Sequence, residues 1–341
     1  MGFRDNNMLN ELNHLPEDFL TVRAEDLHQV LPAPTLFHLE GENPQPLFIC
    51  TLLHGNETTG FYALQQLLQK YADTRLPRSL SIFIGNIAAA KNGQRHLDTQ
   101  QDYNRIWPGT HLNDSAEKDM MQIVTNIMQK KKPFASIDIH NNTGKNPHYG
   151  CVNILNPHCL QLASYFSDIA VYFTSPKGVQ SSAFADFCPS IVLECGQSGD
   201  LSGETHAFQF IDKILQLDAF SSQTNKLKIY HTVARVLVPK TVGLSDTDEK
   251  ENFDLYLNPA LEDKNFTRIP IDTVFASKGS DKDQLIKVNS ESNEDITLEY
   301  LKWQDDQLVF IKPVTLAMYT TSERAIRQDC VCYFMEELSI G

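Results

Sequence analysis

Short apolar runs alternate with helix-period patterns through residues 46–217, and few folds accommodate that alternation. PLFICTLL (46–53), SLSIFIGNI (79–87), FASIDIH (134–140), CVNILN (151–156), IAVYFTS (169–175) and SIVLECG (190–196) are each short and apolar enough for a buried strand. Between them, TTGFYALQQLLQKYA (58–72) repeats apolar residues at helical spacing, and further helices are expected over 115–131 and 203–217. Strands alternating with helices predict an α/β fold with a mixed, largely parallel sheet flanked by helices. The polar stretch SSQTNKLK (221–228) interrupts the pattern. After it come IYHTVARVLVP, DTVFASK, QLIKVN, ITLEYLKW and QLVFIKPVTLAMYTT, separated by polar turns such as KGSDKD and SESNED. These read as a smaller C-terminal antiparallel β domain. Two domains are therefore expected, 1–224 and 225–341, with the acidic stretch 241–254 as a loop in the second.

The charge balance restricts the partners. The 341 residues include 43 acidic and 29 basic side chains, a formal net charge of −14. Residues 225–341 carry 14 basic and 20 acidic groups, so the acidity is shared between both parts. No basic face for nucleic acid is visible. An anionic ligand would need dedicated local cations. Seven cysteines occur without a CxxC pair, which argues for reduced thiols over a zinc ribbon or a disulfide framework. The N-terminal residues lack a signal-peptide core and no apolar run is long enough to span a bilayer, so a cytoplasmic protein without a membrane partner is expected. A homo-oligomer is left open as a partner, and its order is not legible.

Chemistry concentrates where the strands end. In open α/β sheets the functional loops lie at the carboxyl ends of the strands. The first run ends in LLHGNETTG with His54 and Glu57, another in IDIHNNTG with His140, and a third in VLECG with Glu194. Two histidines and one carboxylate are a catalytic zinc set that leaves a coordination position open. Gly55 lets the chain bend between His54 and Glu57, and Asp138 shares a strand face with His140, where it could orient the imidazole. An HxxE spacing alone is weak, and a lone histidine after a strand often only caps a loop. Glu194 is harder to dismiss, because a carboxylate ending so apolar a strand is costly to bury without a purpose or a partner. Arg95, Asn104 and Arg105 lie in the long polar loop GNIAAAKNGQRHLDTQQDYNRIWPG and are candidate groups for an anionic ligand.

Taken in order, HGNETTG, GNIAAAKNGQRHLDTQQDYNRIW, DIHNNTG and ECGQSG resemble the succinylglutamate desuccinylase and aspartoacylase family, which has a zinc carboxypeptidase-like fold. The segment YLNPALEDKNFTRIPIDTVFAS resembles its aspartoacylase side, so the likeness spans roughly residues 45–320. The resemblance implies one Zn2+ per subunit on His54, Glu57 and His140, and Glu194 as the general base that takes a proton from the attacking water. It implies Arg95 as the group polarising the scissile carbonyl, and Asn104 with Arg105 as the grip on the substrate carboxylate. Tyr319, in TLAMYTT, is matched to a substrate-contacting tyrosine of the C-terminal domain.

The pattern is not complete. The span from Arg95 to Asn104 is about two residues longer than the family's usual one. TSPKGVQSSAFADFCPS carries no arginine ahead of Glu194, leaving Lys177 as the nearby cation. HNNTGKNPHYG has no arginine either, and Lys145 or His148 stand there instead. Neither N-acetylaspartate nor succinylglutamate is therefore singled out. The expected activity is zinc-dependent hydrolysis of the amide bond of a small anionic N-acyl amino acid, with the β domain a candidate cap. The alternatives are a metallocarboxypeptidase or amidase acting on peptide-like substrates, and a catalytically inactive binding protein on the same fold.

Overall fold

The computed structural model describes residues 8–221, 226–245 and 253–339. The boundary expected at 224/225 and the middle of the acidic stretch 241–254 lie outside those residues. The chain separates into two compact units. The first comprises Met1–Asn141, His148–Tyr172 and Pro176–Lys228, and the second Asn142–Pro147, Phe173–Ser175 and Ile229–Gly341.

In chain order the first unit contains β1 (Asn10–Leu12), β2 (Thr35–Leu39), β3 (Gly41–Thr51), α1 (Thr59–Lys70), β4 (Leu76–Ile84), α2 (Ile87–Lys91), α3 (Ala116–Lys131), β5 (Ala135–His140), β6 (Tyr149–Val152), α4 (Pro157–Phe166), β7 (Ile169–Tyr172), α5 (Gln180–Ala185), β8 (Ser190–Glu194) and α6 (Leu201–Leu215). The strands lie in the order β1-β2-β4-β3-β5-β8-β6-β7. At its centre β4, β3, β5 and β8 are mutually parallel. Leu47–Thr51 and all of β5 and β8 are buried at every position, the signature of strands covered on both faces. Helices supply that cover. α1 buries Phe61, Leu64 and Leu67, while α3 buries Met120, Met121, Val124 and Met128.

Strands β2 and β3 flank opposite sides of β4, and a short connection carries the chain between them. Gly41 makes that connection directly over the β4 backbone. A Cβ there would stand 2.2 Å from the carbonyl carbon of Arg78 and 2.4 Å from the amide nitrogen of Ser79. Arg78 is itself buried, its guanidinium 4.0 Å above the Phe134 ring. It donates to the carbonyls of Gln45 (3.0 Å) and Leu217 (2.6 Å), tying β4 to the start of β3 and to the chain beyond α6.

The second unit is β-rich. Its strands are β9 (Lys228–Leu237), β10 (Leu244–Ser245), β11 (Leu255–Leu257), β12 (Arg268–Ile269), β13 (Val274–Lys278), β14 (Lys287–Ser290), β15 (Leu301–Gln304), β16 (Gln307–Phe310), β17 (Val314–Ala317) and β18 (Cys332–Leu338). One antiparallel array runs β14-β9-β18-β17-β12. The other runs β10-β11-β13-β16-β15 and is antiparallel except for β10–β11. Phe275, Phe310 and Phe334 fill the shared core, with Phe275 edge-on to both partners. The class is thus the expected one, a largely parallel α/β sheet together with antiparallel β structure.

Several elements differ in detail. CVNILN is a strand only to Val152, after which Asn156 caps α4 through the Cys159 amide. ITLEYLKW divides into a helical turn (Thr297–Tyr300) and β15. QLVFIKPVTLAMYTT holds two strands, β16 and β17, with Pro313 between them, where a missing N–H cannot continue a ladder. No helix of the described residues is long and apolar enough to cross a membrane.

Candidate metal centre

The carboxyl ends of β3, β5 and β8 are neighbours, and the histidines and Glu194 arrive there for different local reasons. His140 and Glu194 are the last residues of β5 and β8 and stand opposite each other in register. His54 lies beyond the end of β3. Leu52, at φ 54°, turns the chain out of the strand in a left-handed conformation that a branched side chain rarely adopts. Gly55 then passes against α2, where a Cβ would meet the Ala90 amide nitrogen at 2.1 Å, and its N–H donates to the carbonyl of Arg95 (3.1 Å). The ligand loop is therefore fastened to the backbone of the loop that bears Arg95.

His54, Glu57 and His140 converge. One ligand atom from each lies within 4.8 Å of the others, and all three side chains are buried. Glu57 faces both rings, with Oε1 2.8 Å from His54 Nδ1 and Oε2 2.7 Å from His140 Nδ1. The Asn141 amide also donates to Oε2 (3.1 Å). Each ring is backed on its far nitrogen by a second carboxylate. His140 Nε2 lies 2.9 Å from Asp138 Oδ2, and His54 Nε2 lies 3.0 Å from Asp102 Oδ1. Backing of this kind fixes the tautomer that leaves Nδ1 for a metal.

Burial pushes the Glu57 carboxyl up, but the His54 and His140 imidazoles outweigh it and hold the group well below the carboxylate range. Burial likewise lowers His140, while Asp138 and Glu57 together raise it well above the usual imidazole value. Asp102 is pushed up by burial and brought well below its ordinary value by Arg95, His54 and Arg105. Four carboxylates, on Glu57, Asp102, Asp138 and Glu194, thus occupy this end of the sheet with the guanidinium groups of Arg95 and Arg105. Oδ1 of the fully buried Asp138 has no hydrogen-bond partner among the described residues. The excess negative charge and the two-imidazole, one-carboxylate donor set fit a divalent ion of the zinc type.

Arg95 reaches the same place. Its Nε donates to Asp102 Oδ2 at 3.0 Å, its Nη2 lies 2.9 Å from the same oxygen in an ion pair, and its Nη1 lies 3.7 Å from Glu57 Oε1. Asn104 is buried, with Oδ1 accepting the Gln180 N–H (3.1 Å) and Nδ2 3.2 Å from His140 Nε2. Arg105 donates to the Asn104 carbonyl (2.9 Å). Lys177 is exposed, on a turn that docks against the Arg105 segment. The Trp107 N–H donates to the carbonyl of Gly178 (3.0 Å), and a Cβ at Gly178 would stand 2.3 Å from the Arg105 carbonyl oxygen.

Tyr319 belongs to the second unit. It is fully buried, packed edge-on to Phe275, and its hydroxyl donates to the Asn258 carbonyl (2.9 Å). Lys145 is exposed and paired with Asp263 at 2.8 Å. His148 stacks on Phe166 with its centroid 4.9 Å from that of His206. Asp102 is the residue that sequence reasoning passed over. Its signal was its place two residues before Asn104 in QDYNR, an acidic residue inside a loop otherwise read for its cations.

Comparison with known proteins bears on all of this. Residues 44–216 match the family described as succinylglutamate desuccinylase/aspartoacylase catalytic domain. A succinylglutamate desuccinylase of Yersinia enterocolitica is 25% identical over 262 residues, 69% of this chain and 74% of that protein. Among solved structures, the succinylglutamate desuccinylase of Vibrio parahaemolyticus superposes with a TM-score of 0.61 at 13% identity, covering 96% of this chain and 97% of that one. Murine aminoacylase 3 superposes at 0.56 with 16% identity, over 87% and 96% of the two chains. These structures share the fold. The sequence match takes in half of the chain, including His54, Glu57, His140 and Glu194, and the chain belongs to the succinylglutamate desuccinylase/aspartoacylase family.

Proposed function

We propose that this chain is a zinc-dependent hydrolase that cleaves the amide bond of a small anionic N-acyl amino acid. One observation carries the reading. His54, Glu57 and His140 present their ligand atoms to one point, at the strand ends where Glu194 stands opposite His140. A desuccinylase among the sequence relatives and an aminoacylase among the similar structures support acylated amino acids as the substrate class.

His54, Glu57 and His140 would hold the ion. When bound, zinc supplies Lewis acidity, which polarises a carbonyl and makes water easier to deprotonate. Glu194 takes the proton from the attacking water and returns it to the departing amine. Arg95, held in place by Asp102, faces the negative charge that develops on the carbonyl oxygen; a donor in that position contributes about 3–4 kcal/mol. Asn104 has its side-chain oxygen committed to the Gln180 amide and its –NH2 beside His140 Nε2, so the –NH2 hydrogen not turned to the ring is the donor for a substrate carboxylate beside Arg105. Lys177, on the turn docked against Arg105, is the proposed cation for a second anionic group. Tyr319 spends its hydroxyl on Asn258, and we assign it to the core of the β unit.

The test is a panel of acetyl, formyl and succinyl amino acids, with short peptides as the contrast, given to the zinc-loaded protein and to Glu194→Gln. Turnover of at least one N-acyl amino acid is expected, and in the variant kcat falls about 10²–10⁴-fold with zinc content unchanged. Cleavage of peptides alone would replace this reading with a peptidase, and near-normal turnover by the variant would remove Glu194 from the reaction.

A further inference from the structure

One carboxylate serves both halves of the proposed chemistry. Asp102 Oδ1 accepts from His54 Nε2 (3.0 Å) and from the backbone N–H of Asn104 (2.8 Å). Its Oδ2 accepts from Arg95 Nε (3.0 Å) and forms an ion pair with Nη2 (2.9 Å). The side chain is 13% exposed, so these bonds are largely shielded from competing water. The other metal-facing histidine has no such arrangement, because Asp138 meets His140 through Oδ2 and its Oδ1 has no hydrogen-bond partner among the described residues.

We propose that Asp102 is a positioning residue that couples the metal ligand His54 to Arg95, so that a single side chain sets both the imidazole that holds the ion and the guanidinium that meets the substrate carbonyl. The inference rests on the reading of the site as a zinc hydrolase. Its geometry separates the two duties. Asparagine makes the same turn to the N–H two residues on as readily as aspartate does. In Asp102→Asn the remaining oxygen therefore stays with Asn104 and His54, while the new –NH2 is turned on Arg95. A guanidinium has only donors, so that side loses its bonds and gains a donor–donor clash. Released from Asp102, Arg95 loses the contact that aims it, with Glu57 Oε1 standing 3.7 Å from its Nη1. Asp102→Ala removes both sides at once.

The experiment measures two quantities for the full-length protein and for Asp102→Asn, Asp102→Ala, Arg95→Ala and the Asp102→Asn/Arg95→Ala double variant. Zinc affinity is read by competition with a chromogenic chelator, without substrate. The second quantity is kcat at saturating zinc, on the best substrate of the panel. Asp102→Asn is expected to keep zinc affinity within about tenfold while kcat falls at least about 100-fold. Asp102→Ala is expected to lose about 10–100-fold in zinc affinity as well. In the double variant the two kcat losses should overlap, Arg95→Ala adding less than about threefold once Asp102 is asparagine. Losses that multiply, a kcat for Asp102→Asn within threefold of the parent, or an unchanged zinc affinity for Asp102→Ala would each overturn the proposal. Should Asp102→Ala fail to fold, the near-isosteric Asp102→Asn and its cycle with Arg95 decide alone. A parent protein that binds zinc yet hydrolyses no N-acyl amino acid sinks the functional reading instead, and the two affinities then decide whether Asp102 holds His54.

Discussion

At the scale of single residues, the site is built from charges that would be intolerable alone. Glu57 stays ionised because two imidazoles face it, and Asp102 because two guanidinium groups and His54 surround it. The same rule operates within the second unit. Asp254 accepts from Lys282, Ser280 and the Gly243 N–H, which lower its carboxyl from 3.8 to about 2. A folded value below the unfolded one means that the contribution to stability is complete above about pH 4 and disappears as the pH falls through 2. Asp254→Asn should therefore have a lower urea midpoint than the parent at pH 6, with the gap closing towards pH 2. A gap of constant size down to pH 2 would contradict it. The strand-end residues His54, Glu57, His140 and Glu194 were legible in the sequence because a polar residue that closes an apolar run stands out. Asp102 was not, because it sits in a long loop with no periodicity, and only the folded chain shows which of that loop's many polar groups turn inward.

Elements were legible to the extent that one physical pattern dominated them. The Leu47–Thr51 part of β3 and all of β5 and β8 are buried and mostly apolar, and α1 repeats its apolar face for three turns, so each was readable, whereas the polar start of β3 at Gly41–Gln45 was not. α4 was missed although Asn156 and Pro157 are a ready helix start, because the apolar run before it was read as continuing. β18 escaped because Cys332–Leu338 ends in a polar, half-exposed stretch. Nothing in the sequence showed that Gly41 carries the chain over β4, since a close backbone approach leaves no pattern of its own. That crossing has a mechanical corollary. In Gly41→Ala the three atoms nearest the added methyl are backbone atoms of Arg78 and Ser79, which cannot rotate away. A loss of at least about 2 kcal/mol is expected from that overpacking, read as a lower urea midpoint at unchanged slope. Parent-like stability would mean that the strand connection has more room than the structure gives it.

For the whole molecule, a boundary near residue 224 was the natural sequence reading, whereas the compact units are discontinuous. Asn142–Pro147 and Phe173–Ser175 cluster with the chain beyond Ile229, an exchange that no compositional shift announces. The two tryptophans divide between the units, Trp107 in the core of the first and Trp303 against the core of the second. In Trp303→Phe, fluorescence reports the unit with the metal-capable cluster alone. Adding zinc should raise its thermal midpoint, by about 2.7 kcal/mol of stabilisation at a free concentration one hundred times Kd, and chelation should reverse the shift. An unmoved midpoint would show that the ion is not held by the folded state. The sheet order adds a consequence for how the ion is acquired. Leu47 must find Ala135, and Ser136 must find Ser190, before the donors on neighbouring strands share one edge. For the proposed ligands His54, Glu57 and His140 the first of these pairings is enough. A pairing so distant along the chain forms late, so on the proposed reading the ion would have no home until the ribosome had released the residues of β5, and it would seal a formed sheet edge rather than nucleate it.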